Sequence, residues 1–362
     1  MARPWDHRSP SENRRIQDQL VRQTLLQMQL GHVPTARARL EAAGIDARRI
    51  KGLDELAQIP PATRVEVLDQ IRNPDGAQGL ILQGTSEGVR RFSDRSVLYR
   101  VATARLFGGE EVQQLAIEAA SRPIHIHLAP GPGGPITVAY TRDDLDLLAR
   151  AGARAAKLVG LERTDRLLNL IPFGPTLDFW GIYYMAHGVG MSAIHSRREG
   201  GELARALWAF ESARPTAVAV SAEEVVGFPA TARDAGIDLS ELAVVVAVGR
   251  SLTRAEREQL GEELAASGAS EARIAAAYGI AEGRILWAEC AVPSGKTETF
   301  GFHTSPDLEV IEVLSPETGE PLGEQSPGEI ALTPLGFRGG GVPRWRSGDL
   351  ALGGVTSQPC PN

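Results

Sequence analysis

The stretch His125–Asp144, HIHLAPGPGGPITVAYTRDD, decides how the chain is read: a short apolar run, a loop of glycines and prolines, a second apolar run and the start of a helix. An apolar strand entering a Gly-rich turn gathers backbone N–H groups, and such a nest suits an anion. Pro130, Pro132 and Pro135 would equally stiffen a plain surface connection, so the loop alone leaves both readings open. Two later stretches give it weight, YGIAE at Tyr278–Glu282 and RWRSGD at Arg344–Asp349.

Outward from the loop, Thr141 caps a helix whose first turn holds Asp143 and Asp144, well placed against the helix dipole. Leu145, Leu148, Ala151 and Ala155 continue it at three- and four-residue steps. Upstream, Ser11–Ala43 reads as helices punctuated by Gly31 and Pro34. Thr63 with Glu66 has the capping-box spacing of a helix running to Ile71. GLILQGTSEGVRRF at Gly79–Phe92 reads as a hairpin, and 96–108 and 110–120 as helices.

Downstream, Arg166–Ile171 is a strand, and the stretch after it is the most aromatic in the chain. Phe173, Trp180, Tyr183 and Tyr184 could line a pocket for a flat apolar substrate, or could be a helix burying its aromatic residues in the core. His187 and His195 have nothing close in sequence that makes either a ligand. From Gly200 the pattern alternates: helix 202–211, strand 217–221, helix 222–235, strand 242–248, helix 253–267, strand 273–277. Alternation of this kind means crossover connections and a mainly parallel sheet covered on both faces. Ligands of such sheets bind beyond the carboxyl ends of the strands, where Gly249–Leu252 and Tyr278–Glu282 both lie. After Glu282 the runs Asp307–Leu314 and Glu329–Thr333, split by a Pro- and Gly-rich loop, predict a small antiparallel β region.

Composition excludes several function classes. With 362 residues the chain exceeds one ordinary core, and 43% hydrophobic with 23% charged residues is globular. A net charge of −7 and a pI near 5.6 argue against a nucleic-acid partner, which needs clustered Lys and Arg. The longest apolar run, Leu242–Val248, is far short of the roughly 20 residues that span a bilayer. The first fifteen residues contain no apolar h-region, so no secretory signal is read and the cytoplasm is the expected compartment. Two cysteines, Cys290 and Cys360, build no disulfide framework.

From about Pro60 onward the chain resembles the phenylacetate-CoA ligase branch of the AMP-forming acyl-adenylate enzymes. HIHLAPGPGGPITVAYTRDDL sits where that family has a Ser/Thr/Gly phosphate loop and a Thr-capped helix. VGRSL at Val248–Leu252 sits at its Gly-Glu-Pro-Leu turn, YGIAE matches Tyr-Gly-x-Thr-Glu, and RWRSGDL matches Arg-Tyr-Arg-Thr-Gly-Asp-Leu. The resemblance implies a nucleotide site using Gly131, Gly133, Gly134, Gly249, Gly279, the ring of Tyr278 against adenine and Asp349 on the ribose hydroxyls. It implies Glu282 as the catalytic carboxylate holding Mg²⁺, a hard cation that prefers oxygen. Some members carry a structural zinc at positions matching Cys290, His303 and Cys360, with Asn362 where a fourth ligand would stand. The chain also departs from the pattern. Leu128, Ala129, Gly131 and Pro132 replace loop hydroxyls, Ala281 replaces a Thr and Arg250 replaces a Glu.

The fold expected is a doubly wound, mainly parallel α/β large domain with a small antiparallel β subdomain. The division expected is a helical segment over 1–75, the adenylate-forming core over 76–282 and the β subdomain over 283–362, without the family's C-terminal lid. The function implied is ATP-dependent activation of an aryl or acyl carboxylic acid to an acyl-adenylate, then transfer to coenzyme A. The alternatives are an adenylating subunit feeding a separate reductase or carrier, and a non-catalytic nucleotide- or acyl-binding descendant. A homodimer, or a separate protein supplying the lid, would complete the enzyme.

Overall fold

A computed structural model describes residues 8–28, 33–72, 80–81, 95–197, 202–293, 300–358 and 360. The hairpin expected over 79–92 lies almost wholly outside them. In chain order the helices α1 (Pro10–Gln27), α2 (Pro34–Ala42), α3 (Leu53–Leu56), α4 (Arg64–Ile71) and α5 (Arg95–Ser121) precede strands β1 (His125–Ala129) and β2 (Ile136–Tyr140). Then follow α6 (Arg142–Val159), β3 (Arg166–Asn169), α7 (Leu177–Val189), β4 (Ser192–His195), α8 (Leu203–Ala206), α9 (Ala209–Ala213) and β5 (Ala217–Ser221). The rest is α10 (Phe228–Asp234), β6 (Val244–Val248), α11 (Arg254–Ala266), β7 (Arg273–Tyr278), β8 (Trp287–Pro293), β9 (Phe300–His303), β10 (Glu309–Leu314), β11 (Gly328–Pro334) and β12 (Trp345–Ala351).

Local signals explain most helix starts. Ser9 with Glu12, Thr63 with Glu66 and Thr253 with Glu256 each close a capping box, so two otherwise orphaned N–H groups are satisfied at the starts of α1, α4 and α11. Gly109, with φ of 77°, breaks α5 at the point where the sequence reads two helices. Two expectations change. The helix read over 202–211 is the pair α8 and α9, and the one read over 222–235 begins only at Phe228, where Pro229 occupies the first turn that proline tolerates.

The chain forms two compact units, residues 1–147 with 306–361, and residues 148–305. In the first, the β1–β2 hairpin and the antiparallel sheet β10-β11-β12 accompany the N-terminal helices, whose core is Val21, Leu25, Leu40, Leu56 and Ile59 with Val310 and Leu335. Arg344 is its central staple. Buried, with φ of 51°, its guanidinium forks onto Glu312 at 2.9 and 3.0 Å and donates to the carbonyls of Ala57 and Ile59 at 3.0 and 2.5 Å.

The second unit is built on a seven-stranded sheet in the order β4-β3-β5-β6-β7-β8-β9. The first five strands are parallel, and β8 and β9 extend the sheet antiparallel. Strand VVVAV is apolar throughout, and AVAVS up to its last residue, Ser221, because both faces are covered, and Val218, Val220, Val245 and Ala247 pack against Phe210, Phe228, Leu260 and Leu264. The acidic side chain of Glu289, 3% exposed, sits inside this framework: it pairs with Arg257 and accepts from Ala276 N–H at 2.9 Å and from Ser251 Oγ at 3.2 Å.

Helix α7 packs too closely for a side chain at one position. A Cβ on Gly188 would lie 2.0 Å from the carbonyl oxygen of Ala149, whereas a Cβ on the helical Gly261 would meet nothing within 4 Å. Gly188→Ala is therefore expected to lower stability by about 1–3 kcal/mol through overpacking. Gly261→Ala is expected to raise it by about 0.5–1 kcal/mol by reducing backbone entropy. Urea unfolding of the two variants checks both signs.

Candidate functional site

In the first unit the Gly-Pro loop closes a hairpin whose register pairs His125 with Tyr140 and Ala129 with Ile136. Gly133 and Gly134 have φ of 85° and 118°, which L side chains rarely adopt, so these two glycines are required by the turn. Gly134 N–H closes the turn on Gly131 O at 3.2 Å. Arg64, the first residue of α4, donates to the carbonyls of Ala129, Pro132 and Gly134 at 2.9, 3.2 and 2.5 Å, and Arg72 donates to Gly133 O at 3.3 Å. A Cβ on Gly131 would sit 2.7 Å from the Arg64 guanidinium carbon. The loop's oxygens are thus gathered on two arginines. Nothing in the sequence singled out Arg64, because its partners lie some 65–70 positions away.

After the hairpin, Asp144 goes beyond its capping role. Its carboxylate accepts from Thr141 N–H at 2.8 Å and also from the backbone N–H groups of Arg338 and Gly339, both at 2.6 Å. The RWRSGD stretch splits by role in the same unit. Arg344 is the buried staple, Arg346 pairs with Glu329, and Asp349 is exposed within β12, next to Gly348 at φ 83°, its N–H donating to Ser347 Oγ at 3.0 Å. Cys360 belongs to this unit.

In the second unit, the carboxyl ends of the parallel strands carry the other candidates. Past β3, an aromatic chain runs Phe173–Phe179–Trp180–Tyr183–Tyr184, with successive ring centroids 5.0, 5.3, 5.3 and 5.1 Å apart. The two sequence readings divide it: Phe179 and Tyr184 are buried in the core, while Phe173 is 55% exposed and Trp180 and Tyr183 are half-buried. His195, at the end of β4, lies 5.3 Å from the rings of Phe179 and Tyr183, and the burial of its ring pushes it below its ordinary pKa of 6.5. Asp178, in the first turn of α7, is pushed up by burial and by the neighbouring charge of Glu223.

Past β6, Gly249 N–H caps β7 through Ala277 O at 2.9 Å, and its φ of 112° turns the chain away. Arg250 forks onto Glu256 at 2.7 and 3.1 Å and lies 3.7 Å from Glu223. Past β7, Tyr278 packs against Trp287 and Phe302 at 5.5 and 5.6 Å. A Cβ on Gly279 would approach Ile285 O at 2.7 Å and Leu177 at 2.9 Å, so this position needs glycine for packing. Glu282 is half-buried in a 3-10 turn over Ala281–Gly283. On the neighbouring strands β8 and β9, the Cys290 thiol and a ring nitrogen of His303 lie within 4.8 Å, and burial pushes His303 below its ordinary pKa.

No family model matches the chain. Phenylacetate-coenzyme A ligase of Thermus thermophilus is 26% identical over 333 residues, covering 91% of this chain and 62% of the relative. The chain is similar to the phenylacetate-CoA ligase branch of the AMP-forming acyl-adenylate enzymes. The corresponding ligase of Escherichia coli K12 is 24% identical over 233 residues, which are 63% of this chain and 50% of that protein. The chain thus spans less than two thirds of either curated relative. Among solved structures, 2-hydroxyisobutyryl-CoA ligase in an open conformation with 2-HIB-AMP and CoA superposes with a TM-score of 0.73 at 17% identity, over 95% of this chain and 70% of that one. The same ligase in its postadenylation state with 2-HIB-AMP gives 0.72 at 16% identity, over 94% and 63%. The fold is that of an adenylate-forming ligase, with the parallel sheet and the small antiparallel sheet the sequence predicts. Among the described residues no helix is long and apolar enough to cross a membrane.

The Arg250–Glu256 fork has a measurable signature. Hydrogen bonds from Arg250, then from the Thr253 backbone, hold Glu256 down at about 2, below its ordinary 4.5. A carboxylate held down in the folded state stabilises it above about pH 4.5, and that contribution disappears as pH falls towards 2. Glu256→Gln is expected to lower stability at pH 7 and to flatten the pH dependence between 4.5 and 2, as read by urea unfolding across that range.

Proposed function

We propose that this protein activates a carboxylic acid with ATP: a carboxylate oxygen of the acid attacks the α-phosphorus, pyrophosphate leaves, and an acyl-adenylate forms. A thiol, coenzyme A in this reading, then attacks the acyl carbonyl and releases AMP, leaving a thioester. The observation that carries the reading is the carboxyl edge of the parallel sheet, where the Phe173–Trp180–Tyr183 face, the Gly249 turn and the Tyr278–Glu282 turn follow three strands in the order of the ligase motifs. Phe173, Trp180 and Tyr183 receive the acyl group, and Tyr184, buried in the core, backs them. Tyr278 stacks on adenine with Gly249 and Gly279 in close approach, Asp349 accepts from the ribose hydroxyls, and Gly131, Gly133 and Gly134 belong to the phosphate loop. No side-chain nucleophile is needed, because the acid itself attacks and the protein positions it.

Glu282 fits the Mg²⁺ role, a carboxylate oxygen in a tight turn; the ion would neutralise phosphate charge when bound. Cys290 and His303 fit a structural zinc, a thiol and an imidazole on paired strands. Protein purified without added metal is expected to contain zinc that is lost in Cys290→Ser; folded protein without zinc refutes this role.

ATP–pyrophosphate exchange with a panel of aryl and acyl acids tests the activity. Exchange that depends on an acid and drops at least about 100-fold in Glu282→Gln is expected. A second reading, a binding protein without turnover, is favoured by the loop itself, which has no hydroxyls and whose oxygens are held by Arg64 and Arg72. Nucleotide binding by calorimetry without exchange for any acid would decide for it.

A further inference from the structure

The end of β4 carries a histidine whose protonation is set by one neighbour. Asn169 and His195 are register partners at the carboxyl ends of the parallel strands β3 and β4. Asn169 is fully buried, and Ile171 N–H donates to its Oδ1 at 3.0 Å. An N–H can only donate, so the amide oxygen is committed to that contact and the amide NH₂ is left facing His195 Nδ1 at 3.1 Å. An NH₂ group has only protons to offer. Nδ1 must therefore present its lone pair, and a neutral imidazole with a bare Nδ1 carries its proton on Nε2. The cationic ring would turn an N–H against the amide protons, and burial beside Phe179 and Tyr183 disfavours the cation further.

The Nε2–H is a donor without a hydrogen-bond partner among the described residues, on a residue partly desolvated by its aromatic neighbours that still keeps an exposed face, beside the half-buried ring of Tyr183. A ring kept neutral suits a neutral oxygen acceptor better than a carboxylate, which would call for the cation. We propose that His195 is a specificity-determining residue: its Nε2–H donates a hydrogen bond to an uncharged oxygen substituent, a hydroxyl, ether or keto group, on the acyl portion of an aromatic acid. Asn169 is the positioning residue that fixes the tautomer. The inference rests on the proposed acyl role of the aromatic face and narrows it to oxygenated aryl acids.

The test uses the full chain and non-hydrolysable acyl-sulfamoyl adenosines, pairing hydroxy- or methoxyaryl acyl groups, substituted at each ring position, with the unsubstituted aryl group. Calorimetry is expected to show one oxygenated isomer bound about five- to tenfold tighter than its unsubstituted partner, the worth of one added hydrogen bond. In His195→Phe that ratio falls to near one, and His195→Gln, which keeps an N–H, restores part of it. Nitrogen-15 NMR of the histidines at pH 7 is expected to show His195 protonated on Nε2, with the proton moving to Nδ1 in Asn169→Asp. Equal binding of all isomers alongside the unsubstituted mimic, or an Nδ1-protonated ring in the unmodified protein, overturns the inference while the adenylating reading stands. Failure to bind any mimic overturns both.

Discussion

The hydrogen bonding of five parallel strands, β4-β3-β5-β6-β7, is the constraint on which the second unit depends. Parallel strands need crossover connections, the crossovers bring helices to the faces, and the covered strands become apolar throughout. Polar chemistry is then displaced to the one edge where the chain leaves each strand. Asn169, His195, Ser221 and Tyr278 are the last residues of their strands and Gly249 is the first past β6, so the aromatic stretch and the charged turns follow from the same edge.

Arginine is the second organising element, and it works more as a donor fork than as a charge. Arg344 joins Glu312 to two carbonyls of the α3 region, Arg64 gathers three carbonyls of the Gly-Pro loop, and Arg250 locks the turn after β6 onto the capping carboxylate Glu256. The rigid planar guanidinium suits such multi-acceptor sites better than an ammonium. At the loop this has a functional edge. A turn of Ala, Gly and Pro without hydroxyls still has a defined shape, because Arg64 and Arg72 hold four of its carbonyls and Gly134 N–H holds that of Gly131.

Much of the fold was legible from short-range rules. The capping boxes at Ser9, Thr63 and Thr253 announce helices because cap and partner lie three residues apart. The runs AVAVS and VVVAV announce buried strands because both faces are covered. The helix read over 222–235 starts only at Phe228, because the apolar periodicity runs through a stretch of turns that ends at Gly227. The sequence of the aromatic stretch is compatible with both core and pocket, and its residues divide, Phe179 and Tyr184 inward and Phe173 outward.

By itself the sequence determined the class of fold, the order of the ligase-like motifs and the residue types at each, because these depend on local spacing and on side-chain chemistry that is written in the chain. Only the tertiary structure decided which groups meet. That Arg64 closes a loop some 65–70 residues away, that Glu289 is buried on Arg257, and that Asn169 sets the proton of His195 are consequences of register and packing between distant segments. The strength and even the sense of a polar contact depend on which atom faces which, and that is settled by long-range strand pairing, here Asn169 against His195.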